Sequence, residues 1–297
     1  MKHKVLVVGL GDMGLPIAAN LAKAGHEVFG SDLRPERGKL LEEAGGHAAA
    51  DLAAAAKEVD TVFLMVMHGR QVHELVLGDD GLLKHLPAGA RIVVTATIQP
   101  GEFDALVAPC AAAGVGLIDS PVSGGRAGAE GGTLTLMCAG APEHIDGCKA
   151  ALEAIAAKIF VVSEQPGAGM RAKAALQATI GSVFTAVFEG LALAAKAGVP
   201  GEAMLDIMTN SAISSPMVNY CATQIMERRF KDTGSAMATI HKDIGISLDF
   251  AREQGVPLHT TAAAFQTFQA AMTAFPGEDN WAGVKVIEQI TGVEVRK

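Results

Sequence analysis

Short runs of apolar, mostly β-branched residues alternate with helix-period patterns over the first half of the chain. Helix-period patterns alone fill the second half. Apolar runs of strand length between helical segments are the mark of a doubly wound α/β sheet, with helices on both faces. The pattern predicts strands at 4–8, 27–31, 61–66, 91–95, 116–119, 134–138 and 159–162. Intervening helices include 15–24, 34–44, 71–77 and 100–113. The alternation breaks at Glu164-Gln165-Pro166-Gly167-Ala168-Gly169, where a proline and two glycines mark a linker or the start of a helix. A long helix then covers 170–197 and stops at Gly198-Val199-Pro200. Shorter helices follow at 201–210, 216–228, 235–254, 259–274 and 280–290, with no strand pattern among them.

The first strand ends in Gly9-Leu10-Gly11-Asp12-Met13-Gly14, at G-x-G-x-x-G spacing, and a helix pattern begins at once. In a dinucleotide site the first glycine makes the tight turn and the second lets the backbone approach a pyrophosphate. The third lets helix and strand pack closely, with the helix N-terminus aimed at the anion. Asp32 closes the second strand, 32 − 11 = 21 residues beyond Gly11. An acid at that distance is where a ribose 2′-hydroxyl is held. Glycines at this spacing also mark ordinary turns; the strand before, the helix after and the acid beyond favour the dinucleotide. The fold expected is α/β: an N-terminal Rossmann-type dinucleotide-binding domain over 1–165, then an all-helical C-terminal domain over 166–297, joined by a long interdomain helix. A ligand is expected at the carboxyl edge of the sheet, under the helical domain.

Composition narrows the function classes. With 297 residues and 49% hydrophobic positions the chain can bury two cores, which excludes disorder. A net charge of −8 and a pI near 5.6 argue against a general nucleic-acid binder. The cysteines Cys110, Cys138, Cys148 and Cys221 form no C-x-x-C pair, so neither a zinc site nor a disulfide framework is expected. They read as small buried thiols in a reducing compartment. No signal-peptide pattern is present, and the uncharged stretch 174–188 is short and carries Gly, Ser, Thr and Gln. A cytoplasmic protein that binds no membrane is expected. That uncharged stretch also needs more cover than one small helical domain gives, so a homo-oligomer is expected.

Three places carry candidate chemistry. Asp119-Ser120-Pro121-Val122-Ser123-Gly124-Gly125 follows a strand, and a hydroxyl before two glycines offers backbone N–H groups to a carboxylate; the same sequence also makes a plain turn. Lys173 stands on the long helix with Gly169, Met170, Leu176 and Gln177 as its neighbours one turn away, an apolar and small-residue setting. Burial disfavours an ammonium, so an amine placed there can exchange a proton near neutrality. Gln177 can donate to the same substrate oxygen or can be a satisfied polar group in a buried helix. In His241-Lys242-Asp243-Ile244-Gly245, Lys242 either reaches the cofactor and cleft or forms an interhelical ion pair. His68, His73 and His85 lack metal-ligand spacing and read as surface histidines, so no metal is expected. Trp281, the one tryptophan, reads as a packing residue.

Four segments, in order, resemble the motifs of the β-hydroxyacid dehydrogenases, the family of 3-hydroxyisobutyrate, tartronate semialdehyde and 6-phosphogluconate dehydrogenases. They are Gly9-Leu10-Gly11-Asp12-Met13-Gly14-Leu15-Pro16, Asp119-Ser120-Pro121-Val122-Ser123-Gly124-Gly125, Gly167-Ala168-Gly169-Met170-Arg171-Ala172-Lys173 and Lys242-Asp243-Ile244-Gly245. The resemblance implies that Gly9 to Gly14 and Asp32 hold the dinucleotide, with Thr97 lining the nicotinamide side. It implies that Ser123, Gly124 and Gly125 bind the substrate carboxylate. Lys173 is implied as the catalytic acid/base, with Lys242 beside substrate and cofactor. Asp32 points to NAD rather than NADP; NADP-preferring relatives place an arginine just after this strand, where Arg34 stands. The chain departs from the family in carrying Gln177 where Asn is usual, and Asp232-Thr233-Gly234-Ser235 where many members carry Pro-Gly-Phe. Both departures resemble the branch that oxidises four-carbon sugar acids such as L-threonate or D-erythronate. The expected function is hydride transfer between NAD and a small hydroxy acid, in a dimer or tetramer. The alternatives are a reductase of a small semialdehyde acid, a 3-hydroxyisobutyrate dehydrogenase and, from another class, a non-catalytic dinucleotide sensor.

Overall fold

The structure is a computed structural model and describes residues 2–297. The chain forms two compact units, one ending at Lys173 and one covering Ala174–Lys297. The first holds β1 (Lys4–Val8), α1 (Gly14–Lys23), β2 (Glu27–Ser31), α2 (Pro35–Glu43), β3 (His47–Ala48), α3 (Leu52–Ala56), β4 (Thr61–Leu64) and α4 (Gly69–Leu77). It continues with β5 (Arg91–Val94), α5 (Pro100–Ala112), β6 (Gly116–Asp119), β7 (Val122–Ser123), α6 (Gly125–Glu130) and β8 (Leu134–Ala139). It closes with α7 (Pro142–Gly147), α8 (Lys149–Ile155), β9 (Ala156–Ser163) and the first turn of α9 (Ala168–Lys196). The remainder of α9 belongs to the second unit, with α10 (Gly201–Asn210), α11 (Pro216–Met226), α12 (Met237–Gln254), α13 (His259–Ala274) and α14 (Gly283–Thr291).

The strands lie in the order β3-β2-β1-β4-β5-β6-β8-β7, with β9 paired to β8. The period of two decides both cores. Leu6, Val8, Val62, Leu64, Ile92 and Val94 point into one cluster, while Val5, Val7, Phe63, Val93 and Ile118 point into the other. A sheet buried on both faces by helices is what uninterrupted apolar strands require.

The sheet is parallel from β3 to β6, and two findings amend its expected form beyond that. Strand β8 runs antiparallel to β6 and β7; the connection from β7, 124–133, is shorter than a parallel crossover needs. Strand β9 is parallel to β8 but extends past the expected 159–162, with bulges where its register shifts. The elements β3, α3, β7, α6, α7 and α8 were not anticipated; each is short, and Cys148 divides α7 from α8 so that neither reaches two full turns.

In the second unit Phe184, Phe188, Leu191, Val218, Cys221, Ile225, Ile240, Ile244, Phe268 and Trp281 form the core. Helix α9 packs closely on α12 at Gly181, where an added Cβ would lie 2.5 Å from Ile244 Cδ1. The expected helix 280–290 divides into a 3-10 turn, Asn280–Ala282, and α14. One isolated bridge, Ala236 with Asp279, interrupts the otherwise helical unit.

Candidate active site

The glycine run folds as a strand–turn–helix. Gly9 has φ +91, and a Cβ there would meet the Met65 carbonyl oxygen at 2.3 Å. Gly14 faces back on the same turn, where a Cβ would lie 1.7 Å from the Gly9 carbonyl oxygen. Gly11, by contrast, opens outward, with nothing nearer to such a Cβ than Arg34 Nη2 at 4.0 Å. The run therefore has two closed glycines and one open one, the shape a pyrophosphate needs against backbone N–H groups. Leu10 is buried within the run, Met13 is half-buried and Asp12 is exposed at its rim.

Asp32 ends β2 and turns back onto this cradle. Its Oδ2 accepts the Leu10 N–H at 2.8 Å, and its Oδ1 accepts the Arg34 backbone N–H at 2.9 Å and the Arg34 Nε–H at 3.1 Å. Burial alone would raise its pKa, but these donors hold the carboxyl below the usual carboxylate range. Arg34 thus leans on Asp32 rather than standing apart as a phosphate clamp. The residues present fit a dinucleotide: an open glycine, a helix N-terminus and an ionised acid at the ribose position. Thr97 is half-buried in the loop after β5, at the carboxyl edge of the sheet.

The substrate-turn candidates follow the same edge. Ser123 pairs in register with Thr135 of β8, and Gly124 and Gly125 are exposed with φ of +123 and +59. Those values are reached readily only by glycine, and they turn the chain into α6. Just before this turn, Asp119 is fully buried. Its Oδ1 accepts the Gly167 N–H at 2.7 Å and its Oδ2 the Met170 N–H at 2.8 Å. Burial pushes its pKa up to about 6 against the pull of these backbone bonds. The sequence reading passed over this role; the only signal was an acid at the end of a buried strand. Lys173 follows Met170 by one turn of α9 and is 5% exposed, so the expected burial of its amine holds.

In the second unit Gln177 and Lys242 share one carboxylate. Gln177 Nε2 donates to Asp243 Oδ2 at 2.5 Å, and both residues are buried. The Lys242 ammonium lies 2.7 Å from Asp243 Oδ1, at an angle that gives this oxygen no hydrogen bond. Gln177 thus links α9 to α12 through Asp243, and Lys242 pairs with Asp243, its chain neighbour. Asp232-Thr233-Gly234-Ser235 is a fixed loop: Thr233 donates from N–H and Oγ1 to Asp279 Oδ2 at 2.6 and 2.7 Å, and accepts from Trp281 Nε1 at 2.8 Å. Trp281 also packs edge-on against Phe184 and Tyr220, as a packing residue should.

The histidines set aside in the sequence have local partners. His73 Nε2 meets the Glu102 carbonyl at 2.7 Å, and His85 Nε2 meets Asp80 at 2.6 Å. His68 closes the N-terminus of α4, its N–H donating to Gln71 Oε1 at 2.9 Å. All four cysteines are buried free thiols, and burial raises each thiol pKa. Helix α9 is long and apolar enough to cross a membrane by length and composition, yet 44% of its most apolar window is buried inside the protein.

Comparison with known proteins places this arrangement. Residues 4–163 match the NAD binding domain of 6-phosphogluconate dehydrogenase, and residues 167–287 match the NAD-binding domain described for NADP-dependent 3-hydroxyisobutyrate dehydrogenase. The L-threonate dehydrogenase of Cupriavidus necator is 34% identical, over 98% of both chains. The 2-(hydroxymethyl)glutarate dehydrogenase of Eubacterium barkeri is 33% identical, over 98% of this chain and 97% of its own. A crystal structure of a 3-hydroxyisobutyrate dehydrogenase from Salmonella typhimurium superposes with a TM-score of 0.86 at 31% identity, covering 95% of this chain and 99% of that one.

Proposed function

Because the chain belongs to the β-hydroxyacid dehydrogenase family, in the branch that holds the L-threonate dehydrogenases, we propose that it oxidises a polyhydroxylated C3–C4 acid with NAD, Lys173 acting as general acid/base. That it is an NAD(P)-binding hydroxyacid dehydrogenase follows from the family itself. The observation that carries the finer reading is a buried lysine, 5% exposed, one helical turn from a buried glutamine that Asp243 orients. With its pyrophosphate on the Gly9–Gly14 cradle, a bound dinucleotide would supply the nicotinamide as hydride acceptor.

Every other step belongs to side chains and backbone of this protein. The Ser123 hydroxyl and the N–H groups of Gly124 and Gly125 hold the substrate carboxylate and so orient the carbinol carbon. Neutral Lys173 takes the hydroxyl proton at Nζ as the hydride leaves, and its ammonium returns that proton in the reverse direction. Gln177 donates to the same oxygen while Asp243 fixes its amide. Asp32, engaged by Arg34 and Leu10, favours NAD over NADP by occupying the ribose side with negative charge.

The reading extends to a cytoplasmic homo-oligomer, dimer or tetramer, that binds a small carboxylate-bearing substrate and neither nucleic acid nor membrane. Exposed Leu193, Ile207, Ile213 and Ile290 on the helical unit support the oligomer.

The test is the initial rate of NAD reduction across L-threonate, D-erythronate, 3-hydroxyisobutyrate, glycerate and 2-(hydroxymethyl)glutarate, repeated with NADP and with a Lys173→Ala variant. The expected outcome is highest kcat/KM on a four-carbon sugar acid with NAD, and a loss of about 10²–10⁴-fold in Lys173→Ala at unchanged NAD affinity. Turnover confined to 3-hydroxyisobutyrate or glycerate would remove the sugar-acid assignment. A Lys173→Ala variant with more than about a tenth of wild-type turnover would remove the lysine from its role.

A further inference from the structure

We propose that Asp119 is a positioning residue: from the end of β6 it fixes the first turn of α9, and so sets where Lys173 stands relative to the Ser123-Gly124-Gly125 turn. The inference rests on the reading of Lys173 as acid/base and concerns how that residue is aimed.

A buried carboxylate is costly unless its oxygens are satisfied. Asp119 is fully buried and spends both oxygens on the backbone of one segment, taking the N–H of Gly167 at 2.7 Å and of Met170 at 2.8 Å. The N–H groups at a helix start have no acceptor within the helix, and anionic groups are favoured there. Here the acceptor comes from a sheet strand instead of the residue before the helix. Two bonds to positions three residues apart fix the rotation of the turn about the helix axis as well as its height. Lys173 lies three residues beyond Met170, so its Cα direction is inherited from that setting.

A second contact seats the same turn. A Cβ at Gly169 would lie 2.1 Å from the Met137 carbonyl oxygen and 2.8 Å from Asp119 Oδ2. Helix backbone therefore rests directly on β8 backbone, with no side chain as a spacer. That same strand holds the substrate turn, through the pairs Val122–Leu136 and Ser123–Thr135. Asp119 itself is only four residues before Ser123. One buried post thus carries both the turn that orients the substrate carboxylate and the helix turn that leads to the amine. A carboxylate suits the place because two acceptors and no donor are needed; an asparagine would set its NH₂ against a backbone N–H.

The experiment compares full-length wild type with Asp119→Asn, Gly169→Ala and Lys173→Ala, each at a temperature where circular dichroism shows the folded state. The substrate is L-threonate with and without deuterium at C2, or another acid of the panel, deuterated at its oxidised carbon, if that acid ranks first. Asp119→Asn is expected to lower kcat by about 10- to 100-fold, since a misplacement near 1 Å can cost about 10²-fold. It should leave the NAD dissociation constant within about twofold and raise the deuterium isotope effect on kcat/KM, because the chemical step becomes slower. Gly169→Ala, which lifts the same turn off Met137, should give the same signature and stands in if Asp119→Asn does not fold. A folded Asp119→Asn with unchanged kcat and isotope effect, whatever its melting temperature, overturns the positioning role. If Lys173→Ala stays active, or no acid of the panel turns over, the reading of the lysine falls and this inference with it. An inactive Lys173→Ala beside a normal Asp119→Asn overturns the inference alone.

Discussion

Asp243 holds two functional candidates on one carboxylate, and its burial makes that arrangement sensitive to truncation. Removing the acid takes this counter-charge from Lys242 and this acceptor from Gln177, whereas removing both charges together disturbs the amide alone. Breaking a buried ion pair from one side is the costly change, about 3 kcal/mol, while deleting the pair together costs much less. Asp243→Ala is therefore expected to destabilise by about that amount in urea unfolding, and Lys242→Met, Asp243→Ala by less than the sum of the two single changes. Additive effects would show that the pair is not coupled. Asp32 makes the second prediction at this scale. On the proposed reading its carboxylate, held by Leu10 and Arg34, faces the ribose, so Asp32→Ala should lower kcat/KM with NAD about tenfold or more and lower it less with NADP, as Arg34 is released. A constant ratio of the two cofactors would remove Asp32 from cofactor discrimination.

The strand–turn–helix of β1 and α1 behaves as one element, because neither closed glycine accepts a side chain. In Gly14→Ala the new methyl would press on the Gly9 carbonyl 1.7 Å away, and backbone cannot yield there as a side-chain tip could. The expected cost is about 1–3 kcal/mol of stability, with weakened dinucleotide binding measured by fluorescence titration. An alanine variant that binds NAD normally would mean the turn is not the cradle. This element was legible because its spacing and its chemistry coincide: glycines and helix start suit a pyrophosphate, and the acid suits the ribose of the same dinucleotide. The long helices were legible for a similar reason, since prolines and glycines mark their ends. What stayed hidden was local and short. Helix α6, Gly125–Glu130, carries three glycines' worth of turn character at its edges, and Leu52–Ala56 is too brief to display a period. The antiparallel return of β8 is a matter of connection length rather than of strand sequence. Strand β9 hid its extent because Phe160, Val161 and Val162 are all exposed and do not alternate; register shifts against β8 lie on either side of the continuous 158–161 pairing, and such bulges blunt an edge against pairing with another chain. The candidate site residues were singled out by motif position, but the carboxylates that bond their segments, Asp119 and Asp243, needed coordinates. Their partners lie 48 to 66 residues away in sequence, beyond any local pattern.

For the molecule as a whole, two buried titrating groups pull stability in opposite directions as the pH falls. His26, stacked on His3 at the opposite end of the strands from the candidate site, has its pKa lowered from 6.5, chiefly by burial and then by the neighbouring His3. Below 6.5 the unfolded chain takes that proton before the folded one, so His26 makes the protein lose stability on acidification until the folded histidine also protonates. Asp119 acts with the other sign. Its pKa is raised from 3.8 to about 6, so between those values the folded protein holds a proton that the unfolded chain has released. Its contribution is present in full below 3.8 and is lost as the pH rises through about 6, a difference of about 3 kcal/mol from the size of the shift. Wild type should therefore lose less stability between pH 7 and pH 4.5 than its histidines alone would dictate. Asp119→Asn removes the compensating term, and its melting temperature should fall more steeply than that of wild type over this interval. His26→Gln should flatten the same profile. Melting curves of the three proteins at pH 7, 6, 5 and 4.5 decide the matter: parallel profiles for wild type and Asp119→Asn would mean that Asp119 ionises as freely in the folded protein as in the unfolded chain, and that burial at the root of α9 does not hold its proton.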